Sequence, residues 1–183
     1  KKTALFLLLI SVLPATTFGQ KTSGKDAWML QSIVRIDDYN PIMEPDGKAQ
    51  FFCPVRKQML KWEEKDVFNP TAIVKDGWVW MFYRAEDVVG KHAGTSRIGL
   101  AKSRDGMQFQ KNPIPVLYPD NDSLKIFEWE GGCEDPRIVK RADGTYLMTY
   151  TAYDGQTARL CVATSENMMV WKKHGLAFAA EKY

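Results

Sequence analysis

The chain has 183 residues, of which 45% are hydrophobic and 26% are charged, and its formal net charge is +3. This composition is typical of a globular protein and excludes a chain that is disordered throughout. The small net charge gives no indication of a nucleic-acid partner.

The N-terminal region has the pattern of a secretory signal peptide. Two lysines are followed by an apolar run at 4–13. A run of roughly ten apolar residues has the length of a signal-peptide core and is too short to span a membrane. The small residues Thr17 and Gly19 predict cleavage before Gln20, so residues 1–19 would be removed. We therefore expect an exported protein, periplasmic or extracellular, without a stable membrane anchor. A buried N-terminal helix is the alternative.

Two parts of the remaining chain resemble each other. Segment 69–87 aligns with 135–154 at an offset of 66 to 67 residues, and segment 97–111 aligns with 159–173 at an offset of 62 residues. Each copy contains short apolar or alternating runs bounded by turn residues, which is typical of successive hairpins. The repeat therefore predicts units of about four β-strands each.

A four-stranded unit that recurs along the chain predicts an all-β fold of the β-propeller type, in which such blades are arranged around an axis. At about 65 residues per blade, the residues from Gln20 onward make up about two and a half blades, whereas closed propellers have roughly four to eight. We therefore expect a signal peptide at 1–19, a lead-in segment at 20–50, and the N-terminal blades of an incomplete propeller domain at 51–183. A β-sandwich with chance internal similarity is the alternative.

The repeat places Asn69 and Asp135 at equivalent positions, each directly before a proline. The innermost strands of propeller blades converge on the central channel, so these two side chains should share one axial site. Burial or the like charge of Glu134 would raise the pKa of Asp135 and suit it to general acid catalysis, whereas Arg137 would act in the opposite direction. An Asp-Pro turn that merely starts a strand is the structural alternative.

Two arginines and a tryptophan are further candidates for the site. Arg84 lies in an aromatic strand, where an unpaired guanidinium would be costly, so we expect Glu86, Asp87 or a polyhydroxy or anionic ligand as its partner. Arg97 begins an apolar strand and could bind phosphate or a sugar hydroxyl, although a solvated arginine would give the same pattern. Trp129 lies on the segment that leads into the Asp-Pro pair, where its ring could stack on a sugar.

The cysteine and histidine patterns restrict the chemistry further. Cys53, Cys133 and Cys161 are widely spaced and form no Cys-x-x-Cys pair, which argues against a zinc site and leaves one disulfide with one free thiol open. His92 and His174 lie in no Ser/His/Asp or Cys/His pattern, so acyl transfer of that type is not indicated. The sequence contains no metal-ligand cluster and no glycine-rich phosphate loop, so we expect no metal and no cofactor. Carboxylates and arginines among aromatic residues favour glycosidic chemistry.

Four motifs in this order resemble glycoside hydrolase family 130. They are VFNP at 67–70, FYRAED at 82–87, SRIGLA at 96–101 with SRDG at 103–106, and GCEDPR at 132–137. The resemblance covers about residues 51–178. It implies a five-bladed β-propeller that acts on β-mannosidic linkages with inversion, either as a phosphorylase or as a secreted β-1,2-mannosidase. A β-mannoside oligosaccharide would then be the ligand, with inorganic phosphate as co-substrate in a phosphorylase.

The resemblance also implies roles for individual residues. Asp135 resembles the proton donor of the family, which acts through a hydroxyl of the bound mannose. Asn69 and Arg84 match positions that line the mannose subsite, and Arg97 matches a member of the phosphate-binding group. Further candidates for substrate binding are Glu134, Arg137 and Trp129.

The nucleophile stays open at this point. The other phosphate ligands, and the glutamates that would activate water, are expected in later blades. Export favours hydrolysis, because an exported phosphorylase would release its sugar phosphate outside the cell. A non-catalytic sugar-binding β-propeller is the alternative function.

Overall fold

A computed structural model describes residues 34–92 and 94–178. The expected signal peptide at 1–19 lies outside the described residues. The described elements are a 3-10 turn at Asp37–Tyr39, helix α1 at Lys125–Glu128, and the strands β1 Phe51–Cys53, β2 Gln58–Leu60, β3 Asp66–Lys75, β4 Trp78–Glu86, β5 Ser96–Ser103, β6 Gln110–Lys111, β7 Gly132–Lys140, β8 Tyr146–Tyr153, β9 Ala158–Ser165 and β10 Lys172–Leu176. The all-β prediction is therefore confirmed. Within the described part of the chain, no helix is long and apolar enough to cross a membrane.

Eight strands form two antiparallel meanders. In the first meander, β3 to β6, each strand pairs with the next, and the second meander, β7 to β10, has the same connections. One parallel pair, between Ser96 of β5 and Gly132 of β7, joins the two. Strands β1 and β2 form a separate hairpin. These strands form no closed sheet within residues 34–92 and 94–178.

The two meanders share a backbone irregularity at equivalent positions of the internal repeat. Asn69 in β3 and Asp135 in β7 both have a φ of 48°, in the left-handed region. The register of strand pairing shifts at the Asn69-Pro70 step and again at the Asp135-Pro136 step. Proline has no N–H to give to a strand ladder and is found at such bulges. A bulge therefore takes Asn69 in one meander, and Asp135 in the other, out of regular strand pairing.

Strand β4 is buried on both faces. Successive residues of a strand point to opposite faces, and the neighbours Phe82 and Tyr83 belong to two different hydrophobic clusters. Phe82 belongs to a hydrophobic cluster built largely by the second meander, with Met148 among its members. Tyr83 belongs to a second cluster that includes Trp62 and Leu60. This packing on two sides fixes the strand that carries Arg84.

The first meander encloses a buried carboxylate. Glu63 is 1% exposed, Tyr83 donates a hydrogen bond of 2.9 Å to its Oε2, and Lys111 Nζ lies 3.1 Å from the same oxygen. Burial raises the pKa of Glu63, and the nearby Lys111 and Tyr83 only partly offset it.

The second meander repeats this arrangement with equivalent residues. Tyr150 donates a hydrogen bond of 2.7 Å to Glu128 Oε1, and Lys173 Nζ lies 2.6 Å from Glu128 Oε2. Glu128 ends the single turn of α1, so the bonds tie this turn to β8 and β10. Burial raises the pKa of Glu128 as well. Each meander therefore has the same carboxylate, tyrosine and lysine group inside it.

The three cysteines are buried and free. The disulfide that the sequence left open is therefore not formed. Burial raises the pKa of Cys161 to about 11, and it raises the pKa of Cys133 well above its ordinary value. Both thiols are therefore held in the protonated form at neutral pH.

Candidate active site

The candidate site lies where the two meanders meet. Asn69 Nδ2 donates a hydrogen bond of 2.8 Å to Asp135 Oδ1. The side chain of Asp135 is 36% exposed, so its carboxylate is open to a ligand while one oxygen is oriented by the amide. The predicted proximity of these two residues is therefore present in the structure.

Arg84 reaches across from β4 to the second meander. Its Nη2 lies 2.5 Å from Glu86 Oε1 and 2.9 Å from Glu134 Oε1, and its Nη1 lies 3.5 Å from Asp135 Oδ1. The guanidinium is also 4.6 Å from the centre of the Phe68 ring, a distance that allows a cation–π interaction. The expectation of a carboxylate partner for Arg84 is confirmed with Glu86.

Asn69, Arg84, Glu86, Glu134 and Asp135 form one polar cluster. Two further side chains complete it, and the sequence alone did not identify either. Ser96 Oγ accepts a hydrogen bond of 3.0 Å from Arg84 Nε. It also lies 3.1 Å from Glu86 Oε1 and 3.2 Å from Glu134 Oε1. Lys65 Nζ donates a hydrogen bond of 2.7 Å to Glu86 Oε2. Every carboxylate in the cluster therefore faces at least one cation.

The two glutamates of the cluster differ in proton affinity. Burial raises the pKa of Glu134, while Arg84 and Ser96 oppose that rise. Burial acts in the same direction on Glu86, but the hydrogen bonds and charges of Lys65 and Arg84 outweigh it, so the pKa of Glu86 is lowered. Glu86 therefore keeps its negative charge beside Arg84 to a lower pH than a free glutamate does, whereas the pKa of Glu134 is shifted in the opposite direction.

Arg137 and Trp129 contact residues other than those of the cluster. Arg137 is exposed, and its Nη1 donates a hydrogen bond of 2.7 Å to the Pro136 carbonyl. Trp129 is half-buried, and the guanidinium of Arg56 lies 4.8 Å from the centre of its ring. Their roles in sugar binding stay predictions.

Arg97 lies apart from the cluster and is 0% exposed. Its Nη1 lies 2.7 Å from Asp87 Oδ2 and donates a hydrogen bond of 3.0 Å to the Thr95 carbonyl. The alternative of a solvated arginine is therefore wrong, and Asp87 is the partner of Arg97 rather than of Arg84. Phosphate binding by Arg97 stays a prediction, and it would require the buried guanidinium to become accessible.

The arrangement is suited to proton transfer on a polyhydroxy ligand. Asp135 offers an accessible carboxylate for general acid or base chemistry, and the neighbouring amide and guanidinium can hydrogen-bond to hydroxyl groups. Among residues 34–92 and 94–178, no group of three or more His, Cys, Asp or Glu side chains could hold a metal ion.

Comparison with known families agrees with this chemistry. A sequence profile for glycoside hydrolase family 130, described as β-1,4-mannooligosaccharide phosphorylase, matches residues 38–183. A 1,2-β-oligomannan phosphorylase from Thermoanaerobacter sp. (strain X514) is 39% identical over 123 residues, which cover 63% of this chain and 39% of that protein.

Solved structures give the same match. A glycosyl hydrolase from Bacteroides ovatus is 47% identical, with a TM-score of 0.79 over 84% of this chain and 43% of that chain. Another structure comes from work on family 130 glycoside hydrolases that target β-1,2-mannosidic linkages in Candida mannan, and it is 45% identical, with a TM-score of 0.80 over 85% of this chain and 44% of that chain. The chain thus spans less than half the length of these relatives.

Proposed function

The chain belongs to glycoside hydrolase family 130, and we propose that the intact protein cleaves β-mannosidic linkages with inversion, by hydrolysis or phosphorolysis. The observation that carries this proposal is the hydrogen bond between Asn69 and Asp135 beside the guanidinium of Arg84. These three residues match the family's mannose subsite and its proton donor. The names of two relatives refer to enzymes that act on mannosides, which supports the same substrate class.

In this proposal Asp135 supplies the proton for the leaving group. A nucleophile attacks the anomeric carbon from the face opposite the leaving oxygen, and the glycosidic C–O bond breaks. A hydroxyl of the bound mannose gives its proton to the leaving oxygen and takes one from Asp135. Arg84 and Asn69 orient the sugar and the carboxylate during this step. The nucleophile is water in hydrolysis and inorganic phosphate, as co-substrate, in phosphorolysis.

We further propose that the two meanders are blades of a five-bladed β-propeller. The supporting observations are the matching strand order of the meanders and the solved structures that the chain resembles. We also propose the layout that the sequence predicts, with a signal peptide at 1–19, a lead-in segment at 20–50 and propeller blades at 51–183. Export by this signal peptide would favour hydrolysis over phosphorolysis.

Product analysis tests the proposed function. The intact protein is incubated with β-1,2- and β-1,4-mannobiose, each with and without inorganic phosphate, and the products are identified by NMR. Hydrolysis releases mannose alone, and the newly formed reducing end appears first as the α-anomer. Phosphorolysis gives α-mannose 1-phosphate and mannose, and only when phosphate is present. Either result supports the proposal. Tight sugar binding without any product would instead support the non-catalytic alternative.

A further inference from the structure

The guanidinium of Arg84 is held from one side by its own meander. Its Nε donates to Ser96 Oγ at 3.0 Å, and its Nη2 donates to Glu86 Oε1 at 2.5 Å. Glu134 adds a contact of 2.9 Å to Nη2 from the second meander. A guanidinium has five N–H donors, and these contacts engage the three on Nε and Nη2. The other two are on Nη1, which lies 3.5 Å from Asp135 Oδ1.

The groups that hold Arg84 are themselves fixed. Glu86 and Ser96 are direct partners in the pairing of β4 with β5, and they are 9% and 1% exposed. Lys65 Nζ holds the second carboxylate oxygen of Glu86 at 2.7 Å. Sheet register and burial therefore set the positions of the carboxylate and the hydroxyl, independently of any ligand.

We infer that Glu86 and Ser96 are positioning residues, which act through Arg84 and present its Nη1 to Asp135 and to a hydroxyl of the bound mannoside. This inference rests on the proposed function. It assigns the pair a task that differs from general stabilisation, because the orientation of one guanidinium depends on them. A purely structural role would leave catalysis intact whenever the protein is folded.

Kinetics of single variants give the first test. In the intact protein, Glu86→Gln and Ser96→Ala should each lower kcat/KM for the preferred mannobiose by about 10- to 100-fold, the range for a small displacement of a catalytic geometry. The near-UV circular dichroism spectrum reports whether the fold is kept. As a control, Glu63→Gln removes another buried carboxylate, one that binds Tyr83 and Lys111 of the first meander. It should lower stability and leave kcat/KM within about threefold of the wild type.

Rescue by free guanidinium separates positioning from stabilisation. Arg84→Ala leaves a socket formed by Glu86 and Ser96, and millimolar guanidinium chloride should restore part of the lost turnover, whereas sodium chloride should not. In Arg84→Ala/Glu86→Gln the concentration needed for half-maximal rescue should rise about tenfold, since a hydrogen bond to a charged group is lost. Adding Glu63→Gln to Arg84→Ala should leave that concentration unchanged.

The outcomes distinguish the inference from the proposed function. Wild-type protein that turns over no β-mannoside would refute the proposed function and this inference with it. An active wild type would overturn the inference alone under either of two results. In one, Glu86→Gln and Ser96→Ala keep kcat/KM within about threefold of the wild type. In the other, guanidinium rescues Arg84→Ala equally well with and without Glu86.

Discussion

Asn69 and Asp135 stand at the same position of two successive meanders, and a hydrogen bond of 2.8 Å joins their side chains. Both residues have a φ of 48°, and both precede a proline. The two copies of the repeat differ here by an amide in place of a carboxylate, at the point where they meet. The amide of Asn69 can orient the carboxylate of Asp135 without competing with it for a proton. The two copies of one turn therefore provide a titratable carboxylate and the amide that orients it.

Replacement of Asp135 by asparagine tests the proposed proton donor. Asp135→Asn keeps the shape of the side chain but has no transferable acid proton, so turnover on an unactivated β-mannoside should fall by about two to four orders of magnitude. Sugar affinity should change little. The loss should be smaller with a nitrophenyl leaving group, which needs less protonation. Turnover within about threefold of wild type would show that Asp135 is a structural turn residue.

Variants of Asn69 separate backbone strain from hydrogen bonding. Asn69→Gly and Asn69→Ala both remove the hydrogen bond to Asp135, so both should lower kcat/KM. Only alanine is strained at a positive φ, so Asn69→Ala should be less stable to urea than Asn69→Gly by about 1 kcal/mol. Equal stabilities would contradict the strain argument, and wild-type kinetics in both variants would contradict the orienting role of the amide.

The repeat is what made the site predictable from sequence. Equivalent positions next to the axis of a β-propeller lie close together, so the alignment predicts Asn69 beside Asp135. A hydrogen bond joins the two side chains. A guanidinium among aromatic residues is costly to leave unpaired, so the sequence also predicts a carboxylate or a polyhydroxy or anionic ligand beside Arg84. Glu86 is the carboxylate found there. The strand periodicity also predicted the all-β fold correctly.

The positions of Ser96 and Arg97 on opposite sides of β5 could not be predicted from the sequence. All but one of the eight residues of β5 are buried, so both faces of the strand are covered. Such a strand does not need alternating polar and apolar residues, and its sequence therefore does not indicate which side chains share a face. Ser96 points to the site beside Glu86, and the next residue, Arg97, points into the interior against Asp87. Their separate roles depend on the register of β4 with β5, which the sequence does not display.

The buried pair of Asp87 and Arg97 should be important for stability. The two side chains are 0% and 1% exposed, so Asp87→Asn leaves a buried guanidinium without its counter-charge. The free energy of unfolding should fall by about 3 to 5 kcal/mol, as for other buried pairs broken at one partner. Urea denaturation measures the change. If the intact variant does not fold, the double variant Asp87→Asn/Arg97→Met should recover folded protein.

The second meander provides a control for this pair. Asp154 and Arg159 occupy the equivalent positions at 2.6 Å, and their side chains are 20% and 31% exposed. Because water already screens this pair, Asp154→Asn should reduce the free energy of unfolding by about 1 kcal/mol or less. Equal losses in Asp87→Asn and Asp154→Asn would contradict the importance of burial.

The dependence of stability on pH should have opposite signs at two buried glutamates. Burial raises the pKa of Glu128 above 4.5, although Lys173 and Tyr150 oppose the rise. The folded state therefore holds this proton more tightly than the unfolded state does, and the contribution of Glu128 to stability is greatest below pH 4.5 and is lost as pH rises through the folded pKa. For Glu86, burial is outweighed by Lys65 and Arg84, and the pKa is lowered. Its contribution is present above pH 4.5 and is lost as pH falls through the folded pKa.

Glutamine variants remove each titration and reveal its sign. The destabilisation caused by Glu128→Gln should be larger near pH 4 than near pH 7, because the wild type loses the contribution of Glu128 as pH rises. The destabilisation caused by Glu86→Gln should follow the opposite trend, since the ionised carboxylate binds Lys65 and Arg84 at neutral pH. Urea unfolding of both variants and the wild type across this pH range measures the two differences. Parallel trends in the two variants would show that Glu128 and Glu86 do not differ in proton affinity as their surroundings require.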